Sequence, residues 1–363
     1  MGEAKPTIDR YFSPENGDVY GTKEWEPERV AIVKDISGEV VFKQEGVHFP
    51  SDWSQLATNI VSSKYFHGEL NTDERENSVR QLIGRVSEKM GGWMLQQGYV
   101  STTEEAKLFE QEIAAMTLDQ KMAFNSPVWF NVGVDRYGNK DSTKVQKESY
   151  IIEDGVAVLI PQGKEYEFPQ TSACFIQSVE DTMEDILDLS KREGLLFKYG
   201  SGTGTDLSTL RSSHEKLSRG GKPSGPLAYL KFYDRIAEVV QSGGKTRRAA
   251  KMNSLRVDHP NIKEFIDAKR REQEKIGMLM EMGVDKDEAQ ATVAYQNANL
   301  SVRVTDEFMK AVEQGKMWKT NPVHNLEMAD DMPEHDAKTL FRMMAEGAHS
   351  CGDPGIQYHT TIN

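Results

Sequence analysis

Cysteine is scarce in this sequence: the 363 residues include only Cys174 and Cys351. Two thiols in a chain of this length do not make the disulfide framework that stabilises small secreted domains. The sequence also has no C-x-x-C pair and no His-Glu-x-x-His pattern. No zinc site or other metal-ligating residue is therefore predicted, and each cysteine is interpreted from its own surroundings.

Long apolar runs are lacking as well. No stretch of about 18 consecutive apolar residues occurs, which excludes a predicted membrane span. The first twelve residues, MGEAKPTIDRYF, have neither a basic start nor an apolar core. They do not predict a signal peptide, and we expect a cytoplasmic location.

Positive charge is in deficit, because 44 Lys and Arg residues face 57 Asp and Glu residues, for a formal net charge of −13. This balance argues against a protein that coats nucleic acid, so no DNA binding is expected. It does not exclude a nucleotide ligand, since small anions are held by local groups. Apolar residues make up 37% and charged residues 28% of the chain, as is typical of globular proteins. At roughly 100–200 residues per domain, the length suggests two domains.

The first third of the sequence predicts mainly helices. Residues 1–30 are polar and contain three prolines, which indicates an irregular lead-in, and Glu39–Phe42 predicts a short strand. Helical stretches follow at about 53–66, 73–90 and 101–118. The second places Val79, Leu82, Ile83, Val86 and Met90 on one face. The third opens with a capping-box pattern at Ser101–Glu104.

The rest of the sequence alternates between strands and helices. Residues 135–168 predict an insertion or hairpin, and a strand follows at Ala173–Gln177. Later strands are predicted near 205–210, 252–257 and 299–304, and helices near 181–199, 226–241, from Pro260, 305–315 and 334–349, with glycine-rich turns at 200–204 and 242–244. Such alternation predicts a largely parallel α/β sheet or barrel.

Two glycine-rich segments invite comparison with nucleotide-binding loops. Gly200–Gly204 follows a predicted helix, and its third glycine is misplaced for G-x-G-x-x-G, so it indicates either a tight turn or a close backbone approach to a ligand. Gly244-Lys245-Thr246 lacks the earlier glycine of a P-loop, since position 239 is valine. The basic segment 242–248 is compatible with a solvated loop or with anion binding.

The two cysteines also have plain structural interpretations. Cys174 lies in a predicted strand, where a single cysteine is usually a small buried apolar residue. Cys351 precedes Gly352-Asp353-Pro354-Gly355, a turn sequence. Neither surrounding, taken alone, indicates catalysis.

Several longer segments are distinctive when they are taken together and in order. They are FNSPVWFNVG (124–133), PQTSACFIQSVEDT (169–182), GLLFKYGSGTGTDLSTLR (194–211), LSRGGKPSGPLAYL (217–230), SGGKTRRAAKMNSLRVDHPNIKEFI (242–266), NANLSVRVTDEF (297–308) and GDPGIQY (352–358), preceded by GVHFPSDWSQLATNIVSSKYFHG (46–68). In this order they closely resemble one family, the adenosylcobalamin-dependent (class II) ribonucleotide reductases, and segment 46–68 is similar to that family's own N-terminal domain. The likeness covers nearly the whole chain from about residue 30.

The resemblance implies a fold. The family has a ten-stranded α/β barrel built from two parallel five-stranded halves. By this likeness, residues 1–120 form the class II N-terminal helical domain. Residues 121–363 then form the first half of the catalytic barrel.

It also implies an activity, the replacement of a ribonucleotide's 2′-hydroxyl by hydrogen to supply DNA precursors. In the family, adenosylcobalamin starts a radical that passes to a cysteine, and two further cysteines provide the reducing electrons and end as a disulfide. The protein's part in such chemistry is positioning and shielding. Dimeric relatives with a similar effector site suggest ribonucleoside diphosphates as substrates, and dNTP or ATP as allosteric effectors. The resemblance further implies a thioredoxin-like dithiol reductant and a homodimer.

Individual residues are carried over by position. Cys174 corresponds to the first reducing cysteine, and a thiol suits that role because it closes a disulfide reversibly. Ser126, Ala173 and Gly202, with Cys174, correspond to substrate contacts. The expected effector-binding residues are Asp181, Thr182, Met183, Arg211 and, with looser spacing, Arg219. The expected specificity loop, 242–250, contributes Gly243, Gly244, Lys245, Arg247 and Arg248.

The family's Asn-x-Cys-x-Glu motif, which carries the radical cysteine and a catalytic glutamate, does not occur in these 363 residues. We expect it about two dozen residues beyond the Gly-Asp-Pro-Gly turn, on a C-terminal reductase fragment. No ATP-cone-like segment precedes the resemblance, so overall activity control is not expected within this chain. Two alternatives stay open: a non-catalytic nucleotide-binding or regulatory fragment, and a class I large subunit.

Overall fold

The computed structural model describes residues 8–34, 38–137, 150–161, 164, 166–198, 200–217, 220–240 and 250–363. These residues form two compact units, Met1–Ala173 and Cys174–Asn363. The first unit combines hairpins with helices, and the second is built on a parallel sheet.

A long β hairpin opens the first unit. Strands β1 (Trp25–Lys34) and β2 (Val40–Pro50) pair antiparallel, with Trp25 opposite Pro50 and Lys34 opposite Val40. The prediction of an irregular segment through residue 30 was therefore wrong from Trp25 onward. Pro27 suggested the break, and the ladder register does shift between Glu26 and Arg29. The strand continues because a proline is tolerated at such an irregularity when flanking residues keep their partner.

The predicted helices of this unit are present. They are α1 (Gln55–Lys64), α2 (Val79–Gln96) and α3 (Thr103–Leu118). The structure adds a short helix that was not predicted, α4 (Ser126–Asn131). The capping box of α3 lies one residue later than predicted, on Thr102 and Glu105, because the Thr102 hydroxyl accepts from the Glu105 amide at 3.1 Å. The predicted hairpin follows as β3 (Tyr150–Glu153) and β4 (Val156–Leu159).

A buried ion pair lies within the core of the first unit. The side chains of Arg85 and Glu76 are fully buried and 2.8 Å apart. Arg85 also donates to the carbonyls of Val132 at 2.7 Å and Trp129 at 2.6 Å. Glu76 accepts from the His67 amide at 2.8 Å and the Tyr137 hydroxyl at 2.9 Å. This network satisfies both charges and ties helix α2 to the end of α4.

The second unit contains the predicted parallel sheet. Its elements in chain order are β5 (Cys174–Gln177), α5 (Met183–Lys198), β6 (Gly202–Asp206), α6 (Pro226–Val239), β7 (Lys251–Arg256), α7 (Ile262–Glu281), α8 (Lys286–Thr292), β8 (Ala298–Val304), α9 (Asp306–Gln314), β9 (Met317–Lys319), β10 (Glu334–Asp336), α10 (Ala337–Cys351), β11 (Gly355–Tyr358) and α11 (His359–Ile362). The five-stranded sheet has the order β11-β8-β7-β6-β5, and every neighbouring pair is parallel. Because at least one helix lies between successive strands of this sheet, the chain can return to the same edge each time.

One face of this sheet is covered by helices. Leu189 of α5, Tyr233 of α6, Phe265 of α7 and Val302 of β8 are all fully buried in one apolar cluster. A glycine in the left-handed conformation, Gly352 at φ 83°, ends α10 before β11. The short strands β9 and β10 pair antiparallel outside the parallel sheet.

We predict that Arg85→Met destabilises the protein by about 3–5 kcal/mol, because it leaves Glu76 buried without its counter-charge and removes donors from two carbonyls. Urea unfolding of the variant measures this change. Arg80→Met, an exposed position on the same helix, is the matched control and should cost less than about 1 kcal/mol. Equal stability of the two variants would contradict a central role for the pair.

Candidate functional site

The expected reducing cysteine lies where three parallel strands begin. Cys174 is the first residue of β5, Gly202 is the first residue of β6, and Ala250 immediately precedes β7. In the ladder, Cys174 is directly opposite Gly202. The Cys174 thiol is exposed. The plain interpretation of Cys174 as a buried apolar residue is therefore wrong.

Gly202 has a steric role at this edge. A Cβ built on it would lie 2.8 Å from the Ala250 carbonyl oxygen and 3.2 Å from the Cys174 sulfur. Any side chain there would displace backbone, so only glycine lets the three strands and the thiol come this close. The predicted turn at 200–204 is thus largely strand, since Gly202 and Gly204 belong to β6. The ladder with β5 and β7 overrides the turn preference of glycine.

The glycines share a face of the sheet with the thiol. Cys174 and Ile176 alternate along β5, and Ile176 is 83% exposed. A Cβ on Gly204 would meet only the ends of two flexible side chains, Ile176 at 3.2 Å and Met252 at 3.7 Å. This face therefore combines a free thiol, two glycines without side chains and an exposed apolar side chain.

On the opposite face of β6, two threonine side chains contact a buried carboxylate, that of Glu193. The Thr203 and Thr205 hydroxyls donate to Glu193 Oε1 at 3.0 and 3.2 Å, and Lys251 Nζ donates to the same oxygen. Both charged side chains are fully buried. Burial lowers the pKa of the Lys251 ammonium, against the opposing effect of the Glu193 carboxylate. Lys251 also lies 4.7 Å from the centre of the Tyr233 ring. The pair ties α5 to the start of β7.

Ser126 belongs to the first unit. Asn125 caps helix α4, accepting from the Val128 amide at 3.3 Å, and Ser126 is the first residue of that helix. The Ser126 hydroxyl lies 3.2 Å from the Tyr65 hydroxyl, and the Tyr65 ring stacks on Phe130 with centroids 5.3 Å apart. The serine oxygen is therefore held in a defined position. Ala173 directly precedes Cys174 in the chain and is half-buried.

Four of the five expected effector-binding residues lie at or near the start of α5. Asp181 and Thr182 precede the helix and Met183 is its first residue, with its side chain exposed. Thr182 Oγ1 accepts from the Asp185 amide at 3.2 Å. Arg211 pairs with Asp181 through its Nε. The Asp181 side chain is only 6% exposed, whereas that of Arg211 is 37% exposed.

The structure adds His324, which the sequence did not single out. Its Nε2 lies 3.2 Å from Asp181 Oδ2 and 3.3 Å from the Thr209 carbonyl oxygen. No local motif surrounds His324, so only a spatial contact to a residue far earlier in the chain could reveal it.

Glu215 joins the two turns that carry Arg211 and His324. Its buried carboxylate accepts from four backbone amides, Ser212 at 2.8 Å, Val323 at 3.1 Å, His324 at 2.9 Å and Asn325 at 2.8 Å. Burial alone would raise the pKa of this carboxyl, but the backbone donors outweigh it and the pKa is lowered. Glu215 therefore stays ionised and fixes both turns.

Some expected residues lie outside the described part of the chain. These are Arg219 and the loop residues Gly243, Gly244, Lys245, Arg247 and Arg248. Within the described ranges, no group of three or more His, Cys, Asp or Glu side chains could hold a metal ion. Among the same residues, no helix is long and apolar enough to span a membrane.

Comparison with known proteins identifies the same family in both units. Residues 172–363 match the family model described as ribonucleotide reductase, barrel domain. Residues 27–120 match the model described as class II vitamin B12-dependent ribonucleotide reductase.

Curated relatives agree with these models. A vitamin B12-dependent ribonucleotide reductase of Rhodopirellula baltica is 50% identical over 97% of this chain and 34% of its own length. The protein of the same name from Streptomyces avermitilis is 44% identical over 98% of this chain and 34% of its own length. A vitamin B12-dependent ribonucleoside-diphosphate reductase of Mycobacterium tuberculosis is 34% identical over 53% of this chain and 25% of its own length. The chain spans about a third of the length of the first two relatives. The barrel model covers more than half of the residues, and the class II model and the relatives named above agree with it, so the chain belongs to the class II, vitamin B12-dependent ribonucleotide reductase family.

Proposed function

We propose that this chain forms the part of a cobalamin-dependent ribonucleoside-diphosphate reductase that carries one reducing cysteine, substrate contacts and the effector site. The observation that carries the proposal is the exposed thiol of Cys174 beside bare Gly202 backbone, at the common edge of three parallel strands. Membership of the class II family supports the reaction, and the name of the mycobacterial relative supports the diphosphate substrate.

Cys174 would act as a reductant. The substrate loses its 2′-hydroxyl as water and gains a hydrogen at that carbon, while two thiols lose two electrons and two hydrogens and form a disulfide. The partner thiol belongs to a second reducing cysteine, for which Cys351 is unsuited, because its sulfur lies against the Gly347 and Asp353 carbonyls at 3.3 and 3.5 Å. A thioredoxin-like dithiol then returns two electrons by thiol–disulfide exchange.

Substrate would lie on the glycine face of the sheet. Gly202, which has no side chain, lies beside the thiol on this face. Ser126 and Ala173 are further proposed substrate contacts, on the basis of the family resemblance. Adenosylcobalamin would supply the radical, and it brings its cobalt in its own corrin ring, so it needs no metal cluster from the protein. No described residue is assigned to it.

The Asp181–Arg211 cluster would bind a deoxynucleoside triphosphate or ATP effector, together with Thr182, Met183 and Arg219. Segment 242–250 would couple the bound effector to the choice of substrate, because the segment ends at Ala250, beside Gly202. We also propose a homodimer, as in dimeric members of the family.

The function is tested by assaying residues 1–363 alone and in combination with a polypeptide that supplies Asn-x-Cys-x-Glu. Both samples receive adenosylcobalamin, dithiothreitol and either a ribonucleoside diphosphate or the triphosphate. We expect deoxynucleotide only from the combination, and faster with the diphosphate, because neither Cys174 nor Cys351 lies in that motif. Product from residues 1–363 alone would refute the requirement for a second segment. A combination without activity on either substrate would refute the reductase assignment.

In the active combination, Cys174→Ser should abolish multiple turnover with dithiothreitol, because a serine hydroxyl cannot form the disulfide. Product per enzyme, measured over many turnovers, detects the loss. Cys351→Ser keeps a donor to the same carbonyls and is the matched control, expected to retain near-normal turnover. Normal turnover by Cys174→Ser would overturn its assignment as a reducing thiol.

Gly202→Ala should lower kcat/KM by about tenfold or more, because its Cβ collides with the Ala250 carbonyl and crowds the thiol. Gly204→Ala is the control on the same strand and face, where only flexible side-chain ends must move. Steady-state kinetics of both variants, with melting temperatures to confirm folding, distinguishes them. Equal kinetics would show that the close approach at Gly202 does not matter for substrate.

A further inference from the structure

The effector cluster contains the imidazole of His324 besides the guanidinium of Arg211. Asp181 Oδ2 is shared by Arg211 Nε and by His324 Nε2, the latter at 3.2 Å. The carboxylate is nearly covered, whereas the side chains of Arg211 and His324 are 37% and 49% exposed. Asp181 therefore orients the Arg211 guanidinium and the His324 imidazole, while part of each side chain stays accessible to solvent.

The position of His324 is fixed by its backbone. Glu215 accepts from three consecutive amides, those of Val323, His324 and Asn325, and also from the Ser212 amide, next to Arg211. One buried carboxylate thus sets the spacing between the two turns. Such preorganisation reduces the entropy that a ligand would otherwise lose in ordering them.

Several polar atoms of this cluster are free to bind a ligand. Within the described ranges, Arg211 Nη1 and Nη2, His324 Nδ1 and Asp181 Oδ1 have no hydrogen-bond partner. A guanidinium donates to the oxygens of a phosphate chain, and so does an imidazole whose two nitrogens both carry hydrogen. A carboxylate oxygen cannot bind phosphate without repulsion, but it accepts well from a sugar hydroxyl.

We propose that His324 is a phosphate-binding residue of the effector site, placed opposite Arg211 by Glu215. This inference rests on the proposed function, because it takes the ligand of the Asp181 cluster to be a deoxynucleoside triphosphate. Arg211 and His324 bind the phosphate chain, and Asp181 accepts from the deoxyribose hydroxyl. A purely structural His324, serving only to hold Asp181 in place, would affect sugar and phosphate binding alike.

The test measures binding of thymidine triphosphate, thymidine and inorganic tripolyphosphate by calorimetry or competition, on the chain combined with the segment that supplies Asn-x-Cys-x-Glu. His324→Ala should weaken triphosphate binding about tenfold, the value of a charge-assisted hydrogen bond. Thymidine binding should change by less than about twofold. His324→Lys should restore most of the triphosphate affinity, because it returns a cationic donor.

Two further variants separate the possible failures. Arg211→Ala serves as the positive control for the cluster, and His349→Ala, an exposed histidine on α10, is the matched negative control. If Arg211→Ala weakens triphosphate binding and His324→Ala does not, the role of His324 is refuted and the effector site stands. Equal losses for thymidine and triphosphate in His324→Ala would also refute phosphate binding.

The proposed effector function has its own failing outcomes. If the unmodified protein binds no deoxynucleotide, the effector site and this inference fall together. If tripolyphosphate binds as tightly as thymidine triphosphate, the cluster is a general polyanion site, which overturns the assignment to a nucleotide. Far-UV circular dichroism of each variant verifies that the fold is kept, which the exposure of His324 favours.

Discussion

The close parallel packing of β6 between β5 and β7 is the constraint on which the candidate site depends. Three strands start at the same edge, and at Gly202 a Cβ would lie 2.8 Å from the Ala250 carbonyl. With no side chain there, the Cys174 sulfur lies directly beside backbone. The proposed reducing role of Cys174 requires an accessible thiol, and Cys174 is exposed at this edge.

Buried carboxylates hold the elements around these sites. Glu193 accepts from two threonines of β6 and from Lys251 of β7, on the face away from the thiol. Glu215 holds the turns at Ser212 and 323–325, and Glu76 with Arg85 holds the end of the helix that Ser126 begins. Buried charges add little net stability on average, yet removal of one partner is costly. They therefore fix geometry more than they contribute to the free energy of unfolding.

Helix α5 carries residues of both regions. Asp181, Thr182 and Met183 lie at its start, within the proposed effector site, and Glu193 lies further along it, paired with the first residue of β7. Ala250 thus lies beside Gly202 and is followed by Lys251, which is paired with Glu193 of α5. A rigid helix of this kind is a suitable element for coupling two sites, although coupling itself requires two states with different ligand affinities.

Local sequence patterns determined most of the elements in this chain. Apolar periodicity predicted α2, a capping-box pattern predicted α3, alternation of strand and helix predicted the parallel sheet, and ordered motifs identified the family. The same patterns misassigned Gly202 and Gly204 to a turn and residues from Trp25 to an irregular lead-in. In both places a neighbouring strand supplies hydrogen bonds that no local preference reveals. Likewise the resemblance identified Cys174, Asp181 and Arg211 as candidate site residues, whereas only the tertiary structure identified His324 and Glu215. Their roles depend on contacts between segments more than a hundred residues apart in the chain, and a backbone amide or a single histidine has no signature until folding places its partner beside it.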